Sequence, residues 1–418
     1  MIMGNASMRT AGPTVDNLVI GGGLAGSMVA IRLATAGRQV TLLEKESAAN
    51  HKVCGEFLSP EAVGYLNQLK INPLDLGAAT IRFVRLSSKQ RVAETALPFT
   101  ALSLSRFALD EALLSRAEEY GCKVQRGSFV EQLSIQNDLW LAQLRGGESV
   151  CAHSVFLANG KHDLRGWERA HTGQGDLVAF KLHWQLDPAQ TEKLRDFIEL
   201  FLFPSGYAGL SLVERNIANL CLVVRQVELR RIGGWQKLLA SLLDDNRHLK
   251  QRLQGAKTLW DRPLAISSIP YGHLAGLPSG LWCVGDQAAV IPSFTGDGMS
   301  IALHSAALAS EMYLAGDSAE QYNHRLHAQL SRGMSLATCL SRSMVTKAGR
   351  SLALFGLSLF PNAMRWIAAS TRIPKQALLV PRLLPRTEDK GTLGVRDPVV
   401  PEQHPQPGSE GARLGQRQ

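Results

Sequence analysis

The stretch from Val19 to Glu44 constrains this chain more than any other part of it. An apolar run, Leu18, Val19 and Ile20, leads directly into Gly21, Gly22, Gly23, Leu24, Ala25 and Gly26. An amphipathic segment then reaches Ala36, and Val40, Thr41, Leu42 and Leu43 end in Glu44. Strand, glycine turn, helix, strand and acid follow one another as in a dinucleotide-binding βαβ unit. In such a unit Gly21 allows the tight turn, Gly23 lets backbone N–H groups approach a diphosphate, and Gly26 lets the helix pack close to the strand. Leu24 and Ala25 open the helix, whose positive dipole end faces the phosphates. Glu44, with Lys45 beside it, is placed to accept from the ribose hydroxyls. A glycine triplet alone is a weak signal, and the flanking strand, helix and acid make it specific.

A length of 418 residues implies two to three domains at about 150 residues each. The six cysteines include no Cys-x-x-Cys pair. That spacing argues against a metal or iron–sulfur site and against a disulfide framework, and it fits a reducing, cytoplasmic setting. Residues 1–16 hold no apolar stretch of signal-peptide length, and no run reaches the ~18 apolar residues of a membrane-spanning helix. The net charge of +9 has a single source, because residues 332–386 hold nine Lys or Arg and no acid, which leaves 36 basic against 36 acidic residues elsewhere. With no supporting motif, this charge does not point to nucleic acid. Set among Leu352, Phe355, Leu359, Phe360 and Trp366, it suits peripheral contact with an anionic membrane face. A helical cap with solvated charges fits equally well.

Further along, Ser59, Pro60 and Glu61 read as an N-cap with proline in the first turn of a helix running to about Gln68. Ser105 and Arg106 precede a helical apolar pattern, Leu109, Leu113, Leu114 and Ala117, that stops at Gly121. Val178, Phe180, Leu182 and Trp184 alternate with Lys181, His183 and Gln185, the period of a half-buried strand. Residues 198–203, 207–213 and 217–224 continue an antiparallel series. A second ligand-binding signal follows: a hydrophobic strand ends in Gly285 and Asp286, and Pro292, Thr295, Gly296, Asp297, Gly298 and Met299 then form a loop opening a helix. This places a carboxylate at the carboxyl edge of a parallel sheet, and a second helix start beside it.

With both motifs in view, residues 17–315 resemble the FAD-dependent oxidoreductases of the glutathione-reductase-like, hydroxylase-fold superfamily. The resemblance implies that Gly21, Gly23, Gly26 and Glu44 hold the adenosine diphosphate half of FAD. It implies that Arg106 contacts the flavin side, that Gly285 and Asp286 meet the ribityl chain and diphosphate, and that Pro292 and Thr295 to Met299 border the isoalloxazine ring. Within the superfamily, Lys52, Val53, Cys54, Gly55 and Glu56 ahead of a helix are most similar to the geranylgeranyl reductase family, which reduces prenyl double bonds with FAD. There the Cys-Gly-Glu segment lies close to the flavin, so Cys54 becomes a candidate proton donor or substrate contact and Gly55 a cofactor contact. The chain departs from the aromatic hydroxylases by reading Gly-Asp-Gln-Ala-Ala where they carry Gly-Asp-Ala-Ala-His. It also lacks the tryptophan motif of flavin halogenases.

The expected architecture is α/β: a Rossmann-like FAD-binding domain from residues 17–165 and 270–330, and an inserted antiparallel β-sheet substrate domain over 166–269. A basic, apolar helical C-terminal region, 331–386, follows, with a flexible N-terminus over 1–16 and a disordered tail over 387–418. The expected activity is FAD-dependent reduction of a hydrophobic, isoprenoid-like substrate, with NAD(P)H or another electron donor. The alternatives are an FAD-dependent monooxygenase acting on an aromatic, polyketide or lipid substrate, and a prenyl-group carrier without redox chemistry. The expected location is cytoplasmic, peripheral at the inner membrane face if the basic segment docks there.

Overall fold

Both ligand-binding motifs end on the carboxyl edge of one sheet. This computed structural model describes residues 12–169, 175–275, 280–344 and 370–379, all within the contact unit Met1–Val380. The helices in chain order are α1 (Leu24–Thr35), α2 (Pro60–Gln68), α3 (Arg106–Glu119), α4 (Pro188–Leu194), α5 (Gln226–Ile232), α6 (Trp235–Asp245), α7 (Arg247–Arg252), α8 (Gly298–Ala315) and α9 (Ala319–Met344).

The first sheet has seven strands. Thr14–Ile20 lies between Val40–Glu44 and Ser149–Leu157 and is parallel to both. Lys123–Arg126 adds a further parallel strand, and Trp282–Cys283 pairs with Phe156 and Leu157. Ile20 therefore stands opposite both Leu43 and Leu157, and Leu157 opposite Cys283. That register gathers the turns after all four strands at one edge. Central parallel strands are covered on both faces and read as continuous apolar runs, and all five residues of Val40–Glu44 are buried. The helices α1, α3 and α8 pack on one face, while Val130, Trp140 and Val150 pack on the other. The caps form where the sequence places them: Ser59 accepts from Ala62 N and Ser105 from Ala108 N. The first strand already starts at Thr14, inside the stretch expected to be flexible, because Thr14 and Val15 pair with Cys151 and Ala152.

The second sheet has nine strands. Leu177–Gln185, Ala218–Arg225, Gly206–Leu212 and Asp196–Phe203 pair antiparallel in that spatial order. Ala79–Ser88 then lies parallel to Asp196–Phe203 and pairs with Arg91–Ser103. Strands from residues 79–103 and from residues 177–267 thus share one sheet. The alternation over 178–184 is not that of a half-buried strand. Every residue of Leu177–Trp184 is buried, because the face carrying Lys181 and His183 is turned toward the first sheet's loops.

Residues 370–379 return to the main core, where Thr371 and Ile373 are buried. Leu379 N donates to the Tyr65 hydroxyl on α2. The remainder of the basic segment, residues 345–369 and 380–386, and the tail 387–418 lie outside the described residues. Among the described residues no helix is long and apolar enough to cross a membrane.

Candidate functional site

The glycine turn after the first strand is shaped by contacts that exclude side chains. Gly21 has φ +105°, and a Cβ there would sit 2.5 Å from the Ala158 carbonyl oxygen. A Cβ on Gly26 would lie 1.8 Å from the Gly21 carbonyl oxygen. The start of α1 carries no side-chain cap and no acid in its first turn, so its unpaired N–H groups and dipole suit an anion. The Arg106 guanidinium and the Lys52 ammonium reach over the same spot, 3.2 Å and 3.8 Å from where a Gly23 Cβ would be. Both are held by Asp110, which accepts from Arg106 at 2.7 Å and 2.9 Å and pairs with Lys52 at 2.8 Å. Burial opposes the Asp110 charge, but Arg106 and Lys52 outweigh it and hold this carboxyl below its usual range. Two cations fixed above an uncapped helix start form the donor set that a dinucleotide diphosphate requires.

Glu44 accepts from Gly22 N at 2.6 Å and from Glu46 N at 3.0 Å, which locks the acid at the edge of the turn. Lys45 is exposed and faces Glu46 at 3.6 Å. The second motif meets the first directly. Gly285 lies so close to α1 that a Cβ would come 3.0 Å from Ala25 Cβ, and Gly285 N donates to Ser305 at 2.9 Å. Buried Arg169, which sequence reading did not single out, donates to the carbonyls of Asp286 and Lys161 and pairs with Asp163. The loop before α8 seats Gly296 on the Phe57 ring, 2.6 Å from a would-be Cβ. This joins it to the Cys54, Gly55, Glu56, Phe57 segment. Asp297, at the N-cap, is pushed up to about 6 by burial, against the pull of Arg372, and Thr371 donates to it at 3.2 Å. Gly298 is exposed with open space around it, while Met299 is buried. Gly21, Gly23, Ala25, Arg106, Gly285, Asp286 and the Gly296 loop thus converge, with Cys54 and Gly55 on the side facing the second sheet.

Cys54 is tied into that interface. Its Sγ accepts from Glu56 N at 3.3 Å, its carbonyl from Asn219 Nδ2 at 3.1 Å, and the preceding Val53 carbonyl from Lys161 Nζ at 3.2 Å. Glu56 itself is fully buried in a left-handed conformation, φ 59°. Its carboxylate pairs with Lys181, accepts from Arg106 N at 2.8 Å, and meets His183 Nε2 at 3.2 Å. Burial opposes the Glu56 charge, yet the Lys181 ammonium and His183 hold the carboxyl below its ordinary range. His51 approaches His183 edge-on at 4.8 Å between ring centroids, and burial with Lys181 pushes it down to about 4. Ligand atoms of His51, Glu56 and His183 all lie within 4.8 Å of one another, but the Lys181 ammonium already supplies the cation that Glu56 requires.

The side of the second sheet that faces Cys54 and Glu56 changes character along its strands. Lys181, His183, Asn219 and Ser211 form a polar half around Glu56 and Cys54. Ala179, Leu202, Tyr207 and Val223 form an apolar half that clusters with Tyr271 and Val290 and packs Val53, Leu200, Ile266 and Phe294 against it. An apolar wall therefore meets the loops that border the cofactor cradle. The FAD that such a cradle would hold supplies hydride-transfer chemistry. The protein's groups position the cofactor and exclude water. Replacing Arg106 by Met removes one of the two cations over the start of α1 and leaves Asp110 with Lys52 alone. FAD affinity is then expected to fall by about 1.5–3 kcal/mol, or roughly tenfold to a hundredfold, in a flavin-quenching titration of the apoprotein.

Comparison with known proteins supports FAD binding. Residues 16–105 match the DAO family, described as FAD dependent oxidoreductase. A menaquinone reductase from Mycobacterium tuberculosis (strain ATCC 25618 / H37Rv) is 25% identical over 349 residues, covering 78% of this chain and 83% of the relative. Digeranylgeranylglycerophospholipid reductase 2 from Methanopyrus kandleri is 24% identical over 321 residues, covering 71% of this chain and 76% of its own. Among solved structures, the myxobacterial chondrochloren halogenase CndH superposes with a TM-score of 0.69 at 20% identity, covering 86% of this chain and 91% of the halogenase. That likeness shows the shared α/β flavoprotein fold.

Proposed function

We propose that this FAD-dependent oxidoreductase is a reductase of isoprenoid lipids, saturating a carbon–carbon double bond in the chain of a polyprenyl substrate such as a menaquinone. The observation that carries the reading is the apolar wall of Ala179, Leu202, Tyr207 and Val223 set against Val53 and Phe294. The relatives support it: menaquinone and the digeranylgeranyl lipid of the two reductases are different head groups on the same class of chain. NAD(P)H is the donor to test first, and a membrane-resident substrate would give the basic, apolar C-terminal segment its role at an anionic surface.

The test is anaerobic. FAD-loaded protein is reduced with dithionite and mixed with a short-chain menaquinone in detergent. The expected result is return of the oxidised flavin spectrum together with a product that has gained two hydrogens in its chain, read by mass spectrometry. Reoxidation that requires air, with an oxygenated or halogenated product, would overturn the reductase reading in favour of a monooxygenase or halogenase.

A further inference from the structure

The apolar wall contains one chain of hydroxyl groups with no part in holding the cradle. Tyr207, on strand Gly206–Leu212, stands 2.6 Å from the Ser293 hydroxyl, and Tyr271 forms a second short hydrogen bond to the same oxygen. Ser293 belongs to the loop between Asp286 and α8, directly after Pro292. Phe294, the next residue, meets the Tyr207 ring edge-on at 6.1 Å. The three hydroxyls thus run from the substrate sheet through the flavin loop to Tyr271. Tyr271 in turn lines a cleft of about 750 Å³ that lies against α9, beside Gly272, Leu274, Met334 and Thr338. Both tyrosine rings are buried, whereas Ser293 is exposed. Burial first, then the neighbouring Tyr271, pushes the Tyr207 hydroxyl well above 10, so it stays protonated across the physiological range.

We propose that Tyr207, Ser293 and Tyr271 form a proton relay in which Tyr207 is the acid that protonates the substrate, exposed Ser293 refills it from solvent, and Tyr271 holds Ser293 in place. The inference rests on the reductase reading and extends it. Saturating a double bond requires a hydride at one carbon, supplied by the reduced cofactor, and a proton at the other. The Tyr207 O–H bond breaks as the new C–H bond forms. Ser293 passes its proton to the Tyr207 oxygen, and a solvent water molecule restores Ser293 and leaves as hydroxide. The substrate has then gained one hydride and one proton, and the three side chains end as they began. A hydroxyl chain suits this task because each member both donates and accepts. A wall of Val, Leu and Phe around the first member keeps bulk water off the reacting carbons. Tyr207 is the catalytic residue in this scheme, and Ser293 and Tyr271 are positioning residues that act through it.

The experiment uses the FAD-loaded full chain, reduced with dithionite and mixed anaerobically with short-chain menaquinone in H₂O and in D₂O. In the wild type the flavin is reoxidised with a solvent isotope effect. Tyr207→Phe keeps the ring and its packing, and it is expected to slow formation of the chain-saturated product, read by mass spectrometry, by about a hundredfold or more, the usual contribution of a positioned general acid. Tyr271→Phe leaves Tyr207 in place and is expected to slow the reaction by a smaller factor while changing the isotope effect. Flavin content and the thermal midpoint of each variant report folding independently of rate. Variants that hold FAD, yet form the product with two added chain hydrogens at the wild-type rate with the wild-type isotope effect, would overturn the relay alone. A wild type that menaquinone cannot reoxidise would overturn the reductase reading and the relay with it.

Discussion

Gly26→Ala yields a protein that no longer retains flavin. The new methyl would lie 1.8 Å from the Gly21 carbonyl oxygen, a backbone atom that no rotamer change can move. Either α1 slides away from the first strand or the glycine turn opens. Both remove the surface on which Arg106 and Lys52 meet the helix start. Overpacking of this kind costs about 1–3 kcal/mol of stability, and the loss of FAD is the larger effect because the diphosphate depends on that turn. Gly64→Ala is the control. It lies in α2 with open space around it and is expected to stabilise by about 0.5–1 kcal/mol, through helix propensity alone. Visible absorbance after purification in excess FAD, with the thermal midpoint, reads both outcomes. A yellow Gly26→Ala protein with one FAD per chain would show that the turn has another way to hold the cofactor.

Gly21, Gly26 and Arg106 could be picked out from the sequence, because glycine spacing, strand runs and capping serines are local patterns, whereas the place of Lys52 over the helix start could not. Ser59 with Pro60, and Ser105 with Arg106, start helices where expected for the same reason. The fold class followed from two such motifs lying far apart, since each demands a strand end at the same sheet edge. Asp110 was within reach of that reasoning: it stands four residues after Arg106 on one helix face, and i,i+4 pairing is a sequence signal. The strands 79–88 and 91–103 were not read, in part because Pro98 interrupts the second; the strand accommodates it in the irregularity between the Phe83–Ala96 and Ile81–Ala101 pairs. The least legible features are contacts between distant segments. Nothing local to Lys181 and His183 says that their strand face will be covered by Glu56, and nothing near Tyr207 announces Ser293. A polar face on an alternating strand has two readings, solvent or buried partner, and only tertiary packing decides between them.

Removing the charge of Glu56 tests that buried partner. Glu56→Gln preserves shape and leaves the Lys181 ammonium in the core with no anion. Breaking one side of a buried ion pair costs about 3–5 kcal/mol, which for a chain of marginal stability is a large fraction of the total. Combining Glu56→Gln with Lys181→Met removes both charges and is expected to recover most of the loss, because the desolvated ammonium causes the penalty in the single variant. The pH dependence follows from the direction of the shift. The folded carboxyl lies below its ordinary 4.5, so its stabilisation is fully present above that value and disappears as the pH falls through the lower folded value. The gap between wild type and Glu56→Gln in urea-denaturation free energy should therefore be widest near neutrality and narrow in acid. A gap that stays constant from neutral to acid pH would mean that packing around Glu56, and not its charge, joins the second sheet to the loops of the first. A single variant as stable as wild type at neutral pH would show that Lys181 finds another partner or gives up its proton.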